Sequence, residues 1–345
     1  MSHRLLQAAA RQPLDRPPVW IMRQAGRYMP EFRALRAKHD FLTVCRTPEL
    51  AAEVTMQPIG PIGVDAAIIF SDILIPLTPM GLEVRFDDKG PHIDNPVRTV
   101  ADVDRLIVPG AEETCAFLGD ALKLVKKELD GKLPLIGFAG APWTLGAYMI
   151  EGKGSKNYSH IKGFMYNEPA AFHRMMDKMT DTLIDYLRYQ VASGADILQI
   201  FESWGGVLSP DDFRTFALPY TKRIIAGIKD TGVPIVHYMN GCGHVLEELS
   251  DIGADVLGVD WRVDLGEAFD RVGHKVAIQG NMDPCKLYAP IPQIEAEVRR
   301  LHAQVAGRPG HIFNLGHGIL PDVPVAHAQA FVKAVKELKY DPALV

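Results

Sequence analysis

Short apolar runs alternate with amphipathic segments along this chain. Each run has the length of a strand, is rich in valine, isoleucine and leucine, and ends in polar residues or glycine. Near-continuous apolar character is typical of strands covered on both faces, as in a parallel sheet. The eight runs are PVWIM (18–22), AAIIF (66–70), LPLIGF (133–138), ADILQIF (195–201), VPIVHY (233–238), ADVLGV (254–259), KVAIQG (275–280) and HIFNLG (311–316).

Helical patterns lie between these runs. Segments 112–129 and 167–194 each carry apolar residues along one stripe and are closed by glycine. Thr47 with Pro48 fits the N-cap and first turn of another helix, and Ser209 begins a similar signature. Shorter helical patterns cover 244–252, 264–272, 292–306 and 324–338.

Eight strands that alternate with helices predict a single (β/α)8 barrel of the TIM type with extended βα loops. Its 345 residues provide about 43 for each unit, which leaves room for such loops. An open doubly wound sheet is the second choice, but no G-x-G-x-x-G follows the first run and no phosphate loop is present. Because no linker or internal repeat divides the chain, we expect one domain over residues 1–345.

Composition and charge exclude several classes of protein. The chain is 47% hydrophobic and 23% charged, as in ordinary globular proteins. A formal net charge of −5 argues against a nucleic-acid binder and weakly against a polyanionic substrate. No stretch has the length of a signal peptide core or a membrane span. We therefore expect a cytoplasmic protein without a membrane partner.

The barrel places any active site at the carboxyl ends of its strands, and polar residues are densest after the first run. In WIMRQAGRYMPE (20–31), Arg23 and Arg27 lie four residues apart. Arginine offers a planar fork that fits carboxylate or phosphate. Gly26 permits a tight turn, and the backbone N–H groups of 24–27 could add an anion nest. The alternative is a solvated loop whose arginines pair with surface carboxylates.

Two further segments follow apolar runs. Asp72, in IIFSDILIP (68–76), is a carboxylate in apolar surroundings, which is costly unless it accepts hydrogen bonds or faces a cation. It is either a fixed negative charge facing a pocket, or a helix cap or a partner for Arg23. Segment 138–152 is rich in small residues and is predicted to be a loop, which either is mobile and covers a ligand with Trp143 and Tyr148 or is an ordinary loop with packed aromatic residues.

Ser203 in FESWGG and His317 in NLGHGI end the fourth and eighth runs. Because the G-x-S-x-G elbow is absent, we interpret Ser203 as a hydrogen-bonding hydroxyl rather than a nucleophile. His317 stands between two glycines at a position that faces ligand in barrels. His237 and Cys242 do not predict a zinc site, because such a site needs three protein ligands. The four cysteines are widely spaced and form no C-x-x-C pair.

Taken together, PVWIMRQAGRYMPEFRALR, FSDIL, GFAGAPWTLGAYMIEG, FESWGG and NLGHGI resemble the uroporphyrinogen decarboxylase family, and the resemblance extends from about residue 4 to about residue 338. It implies a cytoplasmic, homodimeric (β/α)8 enzyme of haem and tetrapyrrole biosynthesis. That enzyme removes the four acetate carboxyl groups of uroporphyrinogen III to give coproporphyrinogen III, without a cofactor or a metal.

The resemblance also implies roles for individual residues, with Asp72 as the catalytic carboxylate. Decarboxylation needs an electron sink, and a protonated pyrrole supplies its own. The source of the proton stays open between water, His317, Tyr148 and a neighbouring carboxyl group. The implied substrate-binding residues are Arg23, Gln24, Ala25, Gly26, Arg27, Asp72, Tyr148, Ser203 and His317.

Two other functions compete with this interpretation. A related zinc-dependent methyltransferase would need a cysteine near the last strand, where this chain has His317. A non-enzymatic tetrapyrrole carrier would tolerate the loss of Asp72. The net charge of −5 does not exclude a substrate with eight carboxylates, because binding depends on the local field in a cleft.

Overall fold

The computed structural model describes residues 3–87 and 90–340. Its fold is mixed α/β, with nine strands in the described residues: β1 (Ala67–Ile68), β2 (Val84–Asp87), β3 (Gly90–Ile93), β4 (Leu135–Gly140), β5 (Ile197–Glu202), β6 (Ile235–Met239), β7 (Val256–Gly258), β8 (Ala277–Gln279) and β9 (His311–Ile312). Seven of them form one curled, all-parallel sheet in the order β1-β4-β5-β6-β7-β8-β9, while β2 and β3 form a separate antiparallel hairpin. The predicted single domain also includes 1–2, 88–89 and 341–345, which lie outside the described residues.

Helices lie between the parallel strands and pack on the sheet, with α-helices over residues 142–151 and 169–192 against β5 and β4. Within the described residues the helices are α1 (Arg4–Ala9), α2 (Pro30–Arg36), α3 (Phe41–Arg46), α4 (Pro48–Met56), α5 (Ile59–Ile62), α6 (Val100–Arg105), α7 (Ala111–Thr114), α8 (Ala116–Leu129), α9 (Pro142–Glu151), α10 (Ser159–Asn167), α11 (Pro169–Ala192), α12 (Pro210–Phe216), α13 (Leu218–Ile228), α14 (Leu246–Ser250), α15 (Leu265–Val272), α16 (Ile291–Val305) and α17 (Val325–Glu337). None of these helices is both long enough and apolar enough to cross a membrane.

Seven of the eight predicted runs contain a strand, and the first does not. Segment 18–22 makes a single parallel bridge, between Val19 and Phe313 just after β9. On its other side, the backbone N–H of Asp65 donates to the carbonyl of Val19 (2.7 Å). The segment therefore lies between the two edge strands of the sheet. It forms no strand because side chains, rather than a backbone ladder, take up several of its N–H groups.

Two of those side chains come from opposite edges of the sheet. Asp65, just before β1, accepts from the backbone N–H of Val19 (2.9 Å), and Asn314, just after β9, accepts from that of Met22 (2.9 Å). The carboxylate of Asp65 also accepts hydrogen bonds from Nη1 and Nη2 of Arg16, at 2.7 and 2.8 Å. The first segment is thus fixed to both ends of the sheet by hydrogen bonds, several of them to a charged group.

One loop prediction and one helix prediction need correction, and one hairpin was not predicted. Segment 138–152 is not a loop, because β4 runs to Gly140 and α9 follows, with Pro142 in its first turn and Gly152 (φ 79°) ending it. The predicted helix 112–129 is broken at Cys115, where the backbone leaves the helical region. Sequence patterning missed the hairpin of β2 and β3 because its strands mix polar and apolar residues.

Helix starts are predicted more accurately. Ser209 caps α12 by accepting the backbone N–H of Asp212 (3.1 Å). Thr47 precedes α4 at the predicted position with Pro48 in the first turn, but its hydroxyl makes no capping hydrogen bond. The sequence therefore locates these helices even where the side-chain contact differs.

Replacing Asp65 by alanine will destabilise the fold by about 3 kcal/mol, because it leaves the guanidinium of Arg16 and the N–H of Val19 unpaired in a mostly buried place. The side chains of Arg16 and Asp65 are only 14% and 12% exposed. Urea-induced unfolding of both proteins measures the difference.

The matched control is Asp15→Ala, since Asp15 holds Arg4 in the same two-pronged way at 2.7 Å but with side chains 65% and 41% exposed. Exposed pairs contribute less than about 1 kcal/mol. Equal losses for the two variants would show that the Asp65 contacts do not hold the first segment.

Candidate functional site

The predicted arginine segment leaves the sheet where segment 18–22 ends. Arg23 has left-handed backbone angles (φ 65°), so the chain turns sharply as it leaves the gap between β9 and β1. Gly26 completes the turn, because a Cβ there would lie 2.8 Å from the carbonyl oxygen of Arg23. A larger residue would not fit at this close approach, which agrees with the sequence-based prediction that Gly26 permits a tight turn.

The side chain of Arg23 lies across Gly318. A Cβ on Gly318 would come within 2.9 Å of both Cγ and Nε of Arg23. The guanidinium is close enough to Asp72, Tyr148 and His317 for its charge to act on the pKa of each. Arg23 makes no hydrogen bond or ion pair through its side chain within residues 3–87 and 90–340. Its charge therefore faces this group of side chains without a fixed partner.

In the rest of the loop, some polar groups are used to hold the loop in place, and others are left to bind a ligand. Gln24 is fully buried, and all its polar groups are used: its amide donates to Ala66 and accepts from Ile21, and its carbonyl accepts from Tyr28. Gln24 therefore supports the loop, and a direct substrate contact by its side chain stays a prediction.

The neighbouring N–H groups are available. Those of Ala25, Gly26 and Arg27 have no partner among the described residues, as an anion nest requires. The side chain of Arg27 is exposed and, in the described part of the chain, has no ion pair. The structure does not bring it into contact with the other predicted residues.

Asp72 lies beyond β1, in a turn that leads into a short 3-10 helix (Ile75–Leu77). Its Oδ1 accepts the backbone N–H of Leu74 (2.9 Å). Desolvation raises the pKa of Asp72 to about 6, although that hydrogen bond and the charge of Arg23 oppose the rise. The side chain is half-buried, so one face stays open. Asp72 therefore makes a turn contact with Leu74 and lies near the charge of Arg23 without a direct ion pair, and its role as a fixed negative charge facing a pocket stays a prediction.

Tyr148 is held by an aromatic stack. It lies on α9, and its ring packs on Trp204 with centroids 4.2 Å apart. Burial raises the pKa of Tyr148 well above its ordinary value, and the charge of Asp72 adds to this while that of Arg23 opposes it. Tyr148 therefore stays protonated and can donate a hydrogen bond toward the space that these residues share.

Sequence reasoning gave no role to Glu202, the last residue of β5, although a carboxylate ending a buried strand is a usable signal. Glu202 is buried and accepts a hydrogen bond from the hydroxyl of Thr144, on α9, and one from the backbone N–H of Trp204 (3.4 Å). Burial raises the pKa of Glu202 to about 7 despite these bonds. Glu202 thus ties the helix that carries Tyr148 to the residue on which Tyr148 stacks.

His317 follows β9 and is neutral in the working range of pH. Its Nδ1 accepts the backbone N–H of Gly318 (2.8 Å), which leaves the proton on Nε2. Desolvation lowers the pKa of His317 to about 4, and the positive charges of Arg23 and Arg262 add to that effect. His317 can therefore donate a hydrogen bond through Nε2, but it is a poor source of an imidazolium proton.

Ser203 lies at the carboxyl end of β5, half-buried, and its hydroxyl has no partner among the described residues. Its neighbour Trp204 stacks on Tyr148. Asp72, Tyr148 and His317 therefore all lie within reach of the charge of Arg23, and Ser203 is next to the residue on which Tyr148 stacks.

The inner face of the sheet supports these groups from below. There Trp20 donates to Gln279 (2.9 Å), and Gln279 donates to Gln199 (3.1 Å), so the first segment, β8 and β5 are joined across the interior. One step nearer the strand ends, the aromatic rings of Phe201 and Tyr238 pack edge to face. The hydrogen-bonded chain and the ring pair thus connect the first segment and strands β5, β6 and β8 inside the sheet.

A metal site needs several donors together, and residues 3–87 and 90–340 contain no group of three histidine, cysteine, aspartate or glutamate side chains that could hold an ion. Neither ring nitrogen of His237 has a hydrogen-bond partner in that part of the chain, and burial lowers its pKa to about 3. It is a neutral core histidine, and Cys242 is buried as well.

Comparison with known proteins places this chain in a family. The model of the uroporphyrinogen decarboxylase (URO-D) family matches residues 1–338. The chain is 53% identical to the uroporphyrinogen decarboxylase of Geobacter metallireducens and 52% identical to that of Geobacter sulfurreducens, in each case over 98% of this chain and 99% of the relative.

The fold is shared more widely. A methyltransferase from Methanosarcina mazei superposes with a TM-score of 0.80 at 20% identity, over 97% of both chains. A putative vitamin-B12-independent methionine synthase from Listeria monocytogenes superposes with a TM-score of 0.58 at 10% identity, over 94% of this chain and 99% of the other. At such identities these likenesses show the fold alone.

Replacing Asp72 by asparagine will stabilise the fold by about 1–3 kcal/mol at pH 8. The folded-state pKa of about 6 lies above the ordinary value of 3.8, so the ionised carboxylate costs stability above pH 6. Most of that cost is relieved as the pH falls from 6 toward 4, because Asp72 becomes protonated in the folded protein while the unfolded chain, with its ordinary pKa of 3.8, is still largely ionised. Urea unfolding at pH 8 and pH 4 should show a much larger gain at pH 8, and equal gains at both would contradict the raised pKa.

Replacing Gly318 by alanine will displace the side chain of Arg23, because the new methyl group would overlap its Cδ and lie only 2.9 Å from its Cγ and Nε. Arginine is flexible, so the melting temperature should change little while ligand affinity at the site falls by about tenfold, the value of one charged hydrogen bond. Gly60→Ala is the control, since a Cβ there meets nothing within 4 Å. An affinity that is unchanged in the Gly318 variant would show that the position of Arg23 does not matter.

Proposed function

This chain belongs to the uroporphyrinogen decarboxylase family, and we propose on that basis that it is a carboxy-lyase that decarboxylates uroporphyrinogen III in haem biosynthesis. The observation that carries the proposal is that Arg23, packed against Gly318 at the strand ends, lies close enough to Asp72, Tyr148 and His317 for its charge to act on each of them.

Asp72 is proposed as the catalytic carboxylate. With a pKa of about 6 it is mostly ionised at pH 7 to 8, and a carboxylate can accept hydrogen bonds from the pyrrole N–H groups at the centre of the ring. When a ring carbon next to an acetate side chain is protonated, the pyrrole becomes cationic. A fixed negative charge then stabilises that state, which is electrostatic preorganisation.

The reaction needs no external electron sink. The protonated pyrrole accepts the electron pair of the breaking C–C bond and carbon dioxide leaves. A proton is then added to the exocyclic carbon to complete a methyl group, and the proton on the ring carbon is lost, which restores the neutral pyrrole. Each turnover therefore consumes one net proton. Removal of all four acetate carboxyl groups in this way gives coproporphyrinogen III and four molecules of carbon dioxide.

The arginines are proposed to bind carboxylates of the substrate. Arg23 and Arg27 are without ion pairs in the described part of the chain, and the free N–H groups of Ala25 and Gly26 lie between them in sequence. Arginine binds carboxylates through two parallel hydrogen bonds. We assign Gln24 to this segment as the buried residue that holds it in place.

The remaining predicted residues orient the ring. Ser203 has a free hydroxyl among the described residues, Tyr148 stays protonated, and His317 presents Nε2–H. The lowered pKa of His317, about 4, disfavours the imidazolium as the proton source at neutral pH. Water and a carboxyl group are then the better sources of the proton.

The proposal also includes points that rest on the family resemblance: one domain over residues 1–345, a homodimer and a cytoplasmic location. A closed barrel of eight units is part of it. Segment 18–22 would provide the eighth unit, supported by its bridge to Phe313 and by the hydrogen bond from Asp65 to Val19.

Anaerobic incubation with uroporphyrinogen III tests the function, with the products separated by the number of their carboxyl groups. We expect seven-, six- and five-carboxyl intermediates followed by coproporphyrinogen III, without added metal or cofactor. Asp72→Asn should abolish turnover while the protein stays folded. A tetrapyrrole carrier would return the eight-carboxyl compound unchanged, and an enzyme active only with stoichiometric zinc would favour the methyltransferase alternative.

A further inference from the structure

We propose that Arg262 is a further substrate-binding residue, which holds a peripheral carboxylate of the macrocycle from the side of the site remote from Arg23. This inference rests on the proposed function and adds a contact that the predicted set lacks. Uroporphyrinogen is a ring whose eight carboxylates project all around its edge. A site that binds it needs cationic groups on more than one side.

The predicted residues cover only part of the rim. Along the sheet order, Asp72 follows β1, Tyr148 follows β4, Ser203 follows β5 and His317 follows β9. None of them follows β6, β7 or β8. Arg262 follows β7, in the middle of that uncovered sector, at the same carboxyl-terminal edge of the sheet.

Hydrogen bonds connect Arg262 to the proposed site. Its Nη1 donates to Oδ1 of Asn240 (2.8 Å), just after β6. Asn240 in turn donates from Nδ2 to the backbone carbonyl of Ser203 (3.3 Å). The guanidinium is therefore held at the rim by a chain of contacts that ends at a predicted substrate-binding residue.

A second connection runs through Trp261. The guanidinium of Arg262 lies over this indole, 4.5 Å from the ring centroid. Trp261 packs so closely on the last loop that a Cβ on Gly316 would come within 2.8 Å of its backbone nitrogen and 2.9 Å of Cε3. Gly316 precedes His317, and the charge of Arg262 acts on His317 as that of Arg23 does. The two arginines therefore flank one histidine.

Arg262 also has hydrogen-bonding capacity to spare. Its Nη1 is the atom in both side-chain contacts, at 2.8 Å from Asn240 and 3.4 Å from Oδ1 of the buried Asp260. Nε and Nη2 have no partner within the described residues, and 55% of the side chain is exposed. These two nitrogens form one edge of the guanidinium fork, the edge that binds a carboxylate with two hydrogen bonds.

A purely structural role would be to neutralise Asp260. That carboxylate already accepts the backbone N–H groups of Gly241 and Arg262. The guanidinium approaches it only to 3.4 Å. Elsewhere on the surface, Arg271 shows what a closed pair looks like, with Nε 2.6 Å and Nη2 2.7 Å from the carboxylate of Glu247. In Arg262, by contrast, the corresponding atoms Nε and Nη2 have no carboxylate partner among the described residues.

The test compares Arg262→Gln and Arg262→Lys with the wild-type enzyme in steady-state decarboxylation of uroporphyrinogen III. We expect KM to rise by about tenfold or more in Arg262→Gln, as for the loss of one charged hydrogen bond. The rise should be smaller in Arg262→Lys, and kcat should change less than KM. Lys123→Gln is the control for the loss of one positive charge, since Lys123 is exposed on α8 and paired with Asp120. Its KM should stay within twofold of wild type.

Binding of two oxidised analogues identifies which carboxylate Arg262 holds. Uroporphyrin carries four acetates and four propionates, and coproporphyrin carries only the propionates, so fluorescence titration of each measures its Kd. Weaker binding of both to Arg262→Gln indicates a propionate, and weaker binding of uroporphyrin alone indicates an acetate. Unchanged Kd values for both, together with an unchanged KM, would overturn the inference.

Two further experiments separate an effect on substrate binding from an effect on folding. Melting temperatures report whether the loss of charge beside Asp260 harms the fold. If it does, the double variant Asp260→Asn/Arg262→Gln removes the buried charge along with the guanidinium and is assayed instead. A wild-type protein that neither turns over nor binds these compounds would overturn the proposed function, and the inference with it. A wild-type enzyme that is active while the stable variants keep their KM would overturn the inference alone.

Discussion

The candidate site depends on how the gap between the two edge strands of the sheet is filled. Strands β1 and β9 are far apart in sequence, and segment 18–22 lies between them, held by Asp65 on one side and by Asn314 on the other. Because the backbone turns at Arg23 directly after this segment, the position of the first arginine is fixed by the contacts that fill the gap. The buried side chain of Gln24 stabilises the turn by donating a hydrogen bond to the backbone carbonyl of Ala66.

Around that arginine, burial adjusts the titratable groups in different directions. It raises the pKa of Asp72 to about 6 and lowers that of His317 to about 4. At neutral pH the site therefore presents the carboxylate of Asp72, the cation of Arg23, which has no ion pair among the described residues, and neutral hydrogen-bond donors. A net charge of −5 for the whole chain gives no sign of this local pattern, since a cleft focuses the charges that line it.

Much of this arrangement follows from the sequence, because parallel strands that are covered on both faces have a distinctive apolar pattern. Seven runs contain strands, and the residues that end them meet at one edge of the sheet. The run 18–22 was wrong as a strand because its N–H groups bond to the side chains of Asp65 and Asn314, which are distant partners that no local pattern shows. The role of Glu202 was missed because its partner Thr144 is also distant in sequence, and because Thr144 lies on a segment that was predicted to be a loop. Gln24 belongs to a motif whose chemistry suggests binding, and only the three-dimensional contacts reveal that its polar groups are already used.

The contact between Met22 and Asn314, which are 292 residues apart, has a consequence for synthesis of the chain. The arginine segment is among the first residues made, yet the strand that holds one side of it is among the last. At roughly 5–20 residues per second, that segment emerges many seconds before its partner exists. The nascent chain therefore cannot bind substrate until its translation is nearly complete. A chain that stops short of the last strand would lack Asn314, His317 and Gly318, so one side of the arginine segment would have no support.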